Sequence, residues 1–177
     1  MGSRERWARA TCLVLFLVSP LAPLQAASVD FRLPALGGGP VQLSDYRGKW
    51  VIVNFWASWC APCLEELQEL SLFQSSRAPE IQVIGVNYED RPAPEIEAFL
   101  GTLPPTNFPH LIYNGNEDGL PPEFFIDWQG RQLALQALPS TFFIDPQGQL
   151  RGMHTGAMSE QSLNQKLQNF ARSIASE

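Results

Sequence analysis

Residues 50–63 read Trp50-Val51-Ile52-Val53-Asn54-Phe55-Trp56-Ala57-Ser58-Trp59-Cys60-Ala61-Pro62-Cys63. The first seven are β-branched or aromatic apart from one asparagine, which is typical of a strand buried on both faces. From Cys60 onwards the apolar spacing becomes helical, and the positions that follow it are Cys63, Leu64, Leu67, Leu70 and Phe73. The stretch therefore predicts a buried strand that gives way to an amphipathic helix at Cys60.

The two cysteines of this stretch lie where the predicted strand meets the predicted helix. Free N–H groups and the macrodipole at a helix N-terminus stabilise negative charge, so a cysteine placed there has a stabilised thiolate. We predict that Cys60 is the exposed, attacking sulfur. Cys63 follows one helical turn later, close enough to form an internal disulfide and release a mixed-disulfide intermediate. A static disulfide, or half of a zinc site completed by His110 and His154, remains an alternative at this point.

The pattern on either side of this stretch is that of an α/β domain. Upstream, residues 31–49 predict a short strand or hairpin. Downstream, the predicted elements are a buried strand over 81–86, a helix over 94–100, a strand over 142–144 that ends in a turn, and a terminal helix over 159–171 with Ser159 as its cap. This order predicts a mixed sheet with helices on both faces.

Residues 1–26 have the layout of a secretory signal peptide. Three arginines precede an apolar run, and small residues follow at the expected cleavage point. The apolar run has about seven residues, against the roughly 20 that a spanning helix needs, so an uncleaved membrane anchor is the less favoured alternative. We predict cleavage after Ala26, one domain over 27–177, and a periplasmic or otherwise extracytoplasmic location.

Composition excludes several classes of protein. The chain has 177 residues, 45% of them hydrophobic and 17% charged, which fits a globular domain. Its net charge is −6, and removal of residues 1–26 leaves 9 basic and 17 acidic residues, or about −8. Nucleic acid is therefore not an expected partner, because its binding needs clustered positive charge. Of the three cysteines, Cys12 lies in the leader, and the remaining pair is too little for a disulfide-stapled scaffold.

One segment of the sequence is echoed 18 residues later. Residues 120–130 and 138–148 are identical at eight of eleven positions. Both a tandem duplication and convergence of two strand-plus-turn units explain the echo, and we favour duplication. Two copies fall short of a solenoid, which needs at least three.

Three separated motifs together resemble the thioredoxin superfamily, and more narrowly its extracytoplasmic TlpA/ResA-like branch, which includes the cytochrome c maturation reductants. The motifs are the run over 54–63, the lead-in Leu43-Ser44-Asp45-Tyr46-Arg47-Gly48-Lys49, and Leu138-Pro139-Ser140-Thr141-Phe142. The resemblance extends over residues 31–170. It implies a thioredoxin-like three-layer α/β fold with an N-terminal β extension, and thiol–disulfide exchange without a dissociable cofactor.

The resemblance also implies roles for individual residues. Cys60 matches the nucleophile and Cys63 the resolving cysteine. Pro139 matches the family's cis-proline, whose loop, with Leu138, faces the disulfide and offers backbone to an incoming peptide; Pro121 is its rival in the echoed segment. Trp59 flanks the cysteines as in the family, where we expect it to contact the partner.

Glu66 matches the glutamate that the TlpA/ResA-like branch carries three residues after the second cysteine. Asn54 stands where cytoplasmic thioredoxins have a buried aspartate for proton transfer, and it also matches the branch. Helical spacing places Glu66 beside the apolar stripe, so we expect a partly buried carboxyl with a raised pKa that exchanges a proton with Cys63. The family's proline two residues later is replaced by Gln68, which makes the position of Glu66 less secure.

The predicted function is that of an extracytoplasmic protein disulfide reductase. The resemblance implies a monomer that acts on protein disulfides, apocytochrome c among them, and that receives electrons from a membrane donor such as a DsbD/CcdA-like protein. A segment over 113–137 is longer than the family core needs, and we expect it to shape partner choice. The alternatives are a copper or apocytochrome carrier using the same cysteines without turnover, and a peroxiredoxin-like peroxidase.

Overall fold

A five-stranded mixed sheet forms the centre of the protein. The computed structural model describes residues 28–113, 120–121, 124 and 137–176. In chain order its elements are β1 (Arg32–Leu33), β2 (Val41–Gln42), β3 (Trp50–Trp56), α1 (Ala61–Arg77), β4 (Ile81–Asn87), α2 (Ala93–Leu100), β5 (His110–Ile112), β6 (Ser140–Ile144), β7 (Leu150–Thr155) and α3 (Glu160–Ala175). The predicted signal peptide and most of the predicted insert lie outside the described residues.

The sheet has the strand order β5-β4-β3-β6-β7. Strand β4 runs parallel to both β3 and β5, whereas β6 is antiparallel to β3 and β7. The parallel pair follows from the crossover through α1, and the antiparallel pair of β6 and β7 from the short turn between them. The predicted mixed sheet is confirmed. The prediction contained no counterpart of β5, because three residues are too few to show a period.

Alternate residues of the central strands build a core on each face of the sheet. On β3, Ile52 and Trp56 face a first cluster, to which all three α-helices contribute; Val51, Val53 and Phe55 face a second. Both faces of the sheet are covered, which confirms a mixed-sheet α/β fold. The prediction of helices on both faces holds only for the first face among the described residues, because all three α-helices contribute to the first cluster.

The second face is covered without an α-helix in the part of the chain that the structure describes. Strands β1 and β2 form a separate antiparallel pair, and the 3-10 helix Leu43–Tyr46 follows them. Leu33 of β1 and Leu43 of the 3-10 helix are buried members of the second cluster, together with Leu120 and Phe124 from the predicted insert, and the partly buried Val41 of β2 packs against it. The ring of Phe124 lies 4.7 Å from that of Phe142, so the echoed phenylalanines of the two sequence copies pack against each other.

Helix α1 begins where the sequence predicted it. Cys60 is its N-cap residue, Pro62 lies in the first turn, and the helix continues through Gln68 to Arg77. Gln68 donates a hydrogen bond from Nε2 to the backbone oxygen of Pro104 at 3.2 Å. The buried positions of the helix are Cys63, Glu66, Leu67, Leu70 and Phe73, while Leu64 is only partly buried. The amphipathic spacing is therefore confirmed, with Glu66 inside the stripe.

Helix α3 closes the fold against α1. Ser159 accepts a hydrogen bond from the backbone N–H of Ser162, which confirms the predicted N-cap. The backbone N–H of Glu160 donates to Glu69 of α1 at 2.7 Å, so the start of α3 is tied to the middle of α1. Within the described ranges, none of the helices is long and apolar enough to span a membrane.

Candidate active site

The two cysteines of α1 form a disulfide at the edge of the sheet where β3 and β4 end. The sulfur atoms are 2.00 Å apart and the Cα atoms 5.3 Å apart. In parallel α/β units, ligand sites lie outside the carboxyl ends of the strands, and this is where Cys60 begins its helix. One helical turn separates the cysteines, which is the spacing that lets their side chains meet.

A hydrogen-bonded turn delivers Cys60 to the helix. The backbone N–H of Cys60 donates to the oxygen of Ala57 at 3.1 Å. Inside this turn Ser58 is held by Glu89, whose two carboxylate oxygens accept from the backbone N–H (3.0 Å) and the hydroxyl (2.8 Å) of Ser58. Glu89 also accepts from the side-chain amide of Asn87 at 2.8 Å. Because β3 and β4 are parallel neighbours, the residues that follow them meet at this edge.

Cys60 is less accessible than the sequence analysis predicted. It is 5% exposed and Cys63 is fully buried. The reason is that the Cys60 side chain turns back to Cys63, which belongs to the first cluster together with Trp56. In the disulfide form, the two cysteine residues therefore differ little in exposure, and the prediction of an openly exposed Cys60 is wrong for this state.

Glu66 is a buried carboxyl one turn beyond Cys63. Its Oε2 accepts from Asn54 Nδ2 at 2.8 Å, and its Oε1 accepts from the backbone N–H of Met158 at 2.9 Å. Burial raises the pKa of Glu66 to about 7, and hydrogen bonds from Asn54, Met158 and Thr141 partly oppose that rise. The expected burial is confirmed and the pKa lies in the expected direction; Glu66 is in the core although Gln68 stands in place of the family proline.

The amide of Asn54 connects Glu66 to strand β6. Asn54 Nδ2 donates to Thr141 Oγ1 at 3.0 Å as well as to Glu66, and both side chains are fully buried. Among the described residues, Asn54 Oδ1 has no hydrogen-bond partner. An asparagine side chain does not titrate. Of Asn54, Thr141 and Glu66, Glu66 is therefore the one whose side chain can take up and release a proton.

The loop before β6 contains the predicted cis-proline. The Leu138–Pro139 peptide bond is cis, as expected for Pro139. Pro139 is buried and its backbone oxygen accepts from the N–H of Gly156 at 2.9 Å; Leu138 is partly buried and contacts both core clusters. The Ser140 hydroxyl donates to the oxygen of Ala137 at 2.8 Å and closes the loop.

Trp59 projects from the turn beside the disulfide. Its side chain is 70% exposed, whereas Trp56, three residues earlier, is fully buried. The two tryptophans of the motif therefore have different surroundings, one in the core next to the cysteines and one in solvent. A large apolar side chain this exposed next to a reactive group is a candidate contact for a partner.

His110 lies in the core near Trp56. Burial lowers its pKa to about 4, so the imidazole is neutral at ordinary pH. Its Nε2 lies 2.7 Å from Thr106 Oγ1, and its ring makes an edge contact with Trp56 at 5.4 Å between centroids. The sequence analysis named His110 and His154 only as possible ligands of a zinc site. In the described part of the chain, no group of three or more His, Cys, Asp or Glu side chains is arranged to hold a metal ion.

The sequence analysis missed three contacts of this site. Thr141 was quoted in a motif but given no role, and Met158 and Glu89 were not singled out. The position of Glu89, just after a strand parallel to β3, was a usable signal. Met158 offers only its backbone N–H, from 92 positions away in the chain, and no residue type in the sequence marks such a donor.

Comparisons with known proteins agree with this geometry. The family model described as AhpC/TSA family matches residues 24–153. The thiol-disulfide oxidoreductase ResA of Geobacillus thermodenitrificans is 31% identical over 96% of this chain and 99% of that protein. The thioredoxin-like protein YneN of Bacillus subtilis is 31% identical over 78% of this chain and 75% of its own length.

Solved structures show the same fold. A putative thiol:disulfide interchange protein DsbE from Chlorobium tepidum superimposes with a TM-score of 0.64 at 28% identity, over 80% of this chain and 92% of that one. The exposed lipoprotein thioredoxin Etrx1 of Streptococcus pneumoniae gives a TM-score of 0.66 at 26% identity, over 79% and 98% respectively. The chain belongs to the AhpC/TSA family of thioredoxin-like proteins, and with its Cys60–Cys63 disulfide it is a thiol–disulfide oxidoreductase related to ResA and DsbE.

Proposed function

We propose that this protein is an extracytoplasmic protein disulfide reductase. The observation that carries the proposal is the buried Glu66 carboxyl, one turn beyond the resolving cysteine, with a pKa raised by burial to about 7. A group with this pKa accepts and releases a proton near neutral pH, which a dithiol needs whenever it passes electrons to a partner.

The reaction starts from the reduced dithiol. The thiolate of Cys60 attacks one sulfur of the partner disulfide, forms a mixed disulfide and expels the other partner sulfur as a thiolate. The Cys63 thiol gives its proton to the Glu66 carboxylate, and the resulting thiolate attacks the Cys60 sulfur. The second partner sulfur leaves, the Cys60–Cys63 disulfide closes, and two electrons have passed to the partner.

The loop at Pro139 and the side chain of Trp59 form the proposed docking surface. Leu138 and Pro139 precede β6, and their backbone is the part of the loop that we expect to meet an extended partner segment. Trp59 supplies exposed apolar area on the turn that carries Cys60. The expected partners are protein disulfides, with apocytochrome c among them, and a membrane electron donor of the DsbD/CcdA type returns the protein to its dithiol form.

Insulin reduction and mixed-disulfide trapping test the reaction, and two redox measurements test its direction. The dithiol form should reduce insulin, Cys63→Ser should accumulate a mixed disulfide with the partner, and Cys60→Ser should form none. The reduction potential and the redox state in the cell then decide the direction, since a difference of about 30 mV corresponds to about 1.4 kcal/mol. A high potential with a fully oxidised steady state would make the protein an oxidant instead.

The alternative functions predict different outcomes of the same assays. Stoichiometric Cu(I) binding by the dithiol without insulin reduction would identify a carrier. Peroxide turnover faster than disulfide exchange would identify a peroxidase. The proposed export depends on residues 1–26, and N-terminal sequencing of the protein recovered from outside the cytoplasm should begin at Ala27.

The insert over 113–137 is proposed to shape partner choice. A test of this role requires substitutions within the insert rather than its deletion. Leu120 and Phe124 are buried in the second cluster, so removal of 117–134 would open the core as well as change the surface. Replacement of residues 125–136 with a Gly/Ser linker of the same length keeps both side chains. If preference among physiological partners then stays the same, the insert has no role in specificity.

A further inference from the structure

Three side chains form a row across the sheet beside Glu66. Asn54 of β3 pairs with Thr141 of β6, and Thr141 pairs with His154 of β7. Directly opposed residues of antiparallel strands have their side chains on the same face, so the row lies on the side of the sheet where α1 packs. Asn54 donates from Nδ2 both to the Glu66 carboxylate at 2.8 Å and to the Thr141 hydroxyl at 3.0 Å, so its amide joins the first two members of the row to Glu66.

The hydroxyl of Thr141 holds the amide that bonds Glu66. Its oxygen accepts from Asn54 Nδ2 at 3.0 Å, the nitrogen that also donates to Glu66, and the hydroxyl itself acts on the carboxylate to lower its pKa. Because all three side chains are buried, water is not at hand to replace a lost donor. The ionised form of Glu66 therefore depends on this hydroxyl.

Two short chains of contacts connect the Glu66 carboxylate to the loop at Pro139. Thr141 follows Pro139 by two residues along β6. The oxygen of Pro139 also accepts from the N–H of Gly156 at 2.9 Å, and two residues later the N–H of Met158 donates to Glu66 at 2.9 Å. A displacement of the Pro139 loop consequently reaches both oxygens of the Glu66 carboxylate.

Few other titratable groups surround this carboxylate. Strands β3, β4 and β6 carry none. The other elements packed here, α1, β7 and α3, each carry one arginine, which stays charged throughout the pH range of a titration (Arg77, Arg151 and Arg172). Their remaining titratable side chains are Cys63, Glu65 and Glu69 on α1, His154 on β7, and Glu160 and Lys166 on α3. Of these, His154 is the one in the row, on the opposite side of Thr141 from Asn54. It therefore provides a matched control position.

We infer that Thr141 is a positioning residue that couples the Pro139 loop to Glu66, so that a partner docked on the loop alters the hydrogen bonds that hold the carboxylate and thereby its readiness to take the proton of Cys63. The inference rests on the proposed function of the loop and of Glu66. It adds that partner binding and proton transfer are linked events. The proton moves from the Cys63 thiol to the Glu66 carboxylate, and no electrons are transferred in this step.

The first test measures the titration of Glu66 in the reduced protein by carbon-13 NMR. Thr141→Val keeps the side-chain shape without the hydroxyl, and we expect it to raise the pKa of Glu66 by about one pH unit, since the ionised form loses a donor. Thr141→Ser keeps the hydroxyl and should restore the parent value. His154→Gln should leave the titration unchanged. An unchanged titration in Thr141→Val would overturn the inference.

The second test measures the coupling itself. In Cys63→Ser protein, Cys60 is linked by a mixed disulfide either to a cysteine-containing peptide long enough to reach the Pro139 loop or to 2-mercaptoethanol, which is too short. We expect the peptide, and not the small thiol, to shift the Glu66 titration, and Thr141→Val to remove at least half of that shift. An equal shift with both adducts, or with and without the Thr141 hydroxyl, would overturn the inference.

Insulin reduction by the same preparations separates this inference from the proposed function. If the protein does not reduce insulin but shows both Thr141-dependent shifts of the Glu66 titration, the proposed reductase function is contradicted and the proposed coupling is retained. A protein that reduces insulin with a Glu66 titration independent of Thr141 retains the reductase and contradicts the coupling. If Thr141→Val fails to fold, Thr141→Ser and Thr141→Ala take its place. We then expect the peptide-induced shift of the Glu66 titration to be lost in the alanine variant and kept in the serine variant.

Discussion

Asn54 donates a hydrogen bond of 2.8 Å from its amide to the carboxylate of Glu66, one helical turn beyond Cys63. The resemblance to thioredoxins makes the pairing informative, because cytoplasmic members carry an aspartate at the position of Asn54. In this chain the acid is on helix α1 and its amide partner is on β3. The ionisable group is thus attached to the same helix as Cys63, the cysteine from which we propose that it takes a proton.

The buried carboxyl of Glu66 should make stability depend on pH. Its pKa is raised from 4.5 to about 7, so the folded state binds the extra proton across that range. The contribution of this extra proton to the free energy of unfolding is fully present below pH 4.5. It is lost as the pH rises to 7, by up to about 3 kcal/mol. Glu66→Gln should abolish this loss. Urea unfolding of the disulfide form between pH 4 and 8 checks it, and equal pH dependence in both proteins would contradict it.

His110 should act in the opposite direction. Burial lowers its pKa from 6.5 to about 4, so the folded state resists protonation in that range. The contribution of neutral His110 to the free energy of unfolding is present above pH 6.5. It is lost as the pH falls to 4, by up to about 3 kcal/mol. Because Glu66 opposes this trend, the effect is best measured in Glu66→Gln protein. There, His110→Gln should flatten the acid side of the stability profile, and persistence of the loss would assign it to other groups.

Trp59 should contribute to partner binding and little to stability. Its side chain is 70% exposed, so Trp59→Ala should change the free energy of unfolding by less than about 0.5 kcal/mol. We expect the KM for a protein disulfide to rise several-fold. Leu72→Ala is the matched control, since Leu72 is 57% exposed on α1 but lies about 13 Å further along that helix than Cys63. A similar change in KM for both variants would remove Trp59 from the docking surface.

Glu89 should stabilise the turn before the disulfide. Its carboxylate accepts two hydrogen bonds from Ser58 and one from Asn87, and hydrogen bonds to charged groups contribute about 1.5–3 kcal/mol each. For this partly buried group we expect Glu89→Ala to lower the free energy of unfolding by about 2 kcal/mol. Glu95→Ala is the control, because it removes only an exposed ion pair with Arg91 and should cost less than about 1 kcal/mol. Denaturant titration compares the two, and equal losses would show that the Ser58 contacts are dispensable.

Phe124 should be part of the core although it belongs to the predicted insert. It is fully buried and its ring contacts those of Phe31, Phe55 and Phe142. We expect Phe124→Ala to cost about 3–5 kcal/mol and Phe124→Leu considerably less, because leucine leaves a smaller cavity. Thermal unfolding monitored by circular dichroism checks the order. A loss below about 1 kcal/mol for alanine would place the insert outside the folding unit.

Local patterns were sufficient for the elements that carry the cysteines. The β-branched run predicted β3 within its observed bounds, and the change of period at Cys60 predicted α1 and its N-terminus. Both signals are repeated over several residues of one segment, so neighbours along the chain are enough to reveal them. The short strand β5 lacked such repetition and was not predicted.

The sequence by itself determined that Cys60 and Cys63 lie close enough together for a disulfide, because a helix puts residues three apart on one face, and it determined that Glu66 lies beside the apolar stripe. Only the tertiary structure decided what the carboxylate of Glu66 bonds to. Asn54, Thr141 and Met158 come from three other segments, and their separations from Glu66 along the chain carry no periodic signal. The environment that adjusts the proton affinity of Glu66 therefore exists only once the sheet register has brought those segments together.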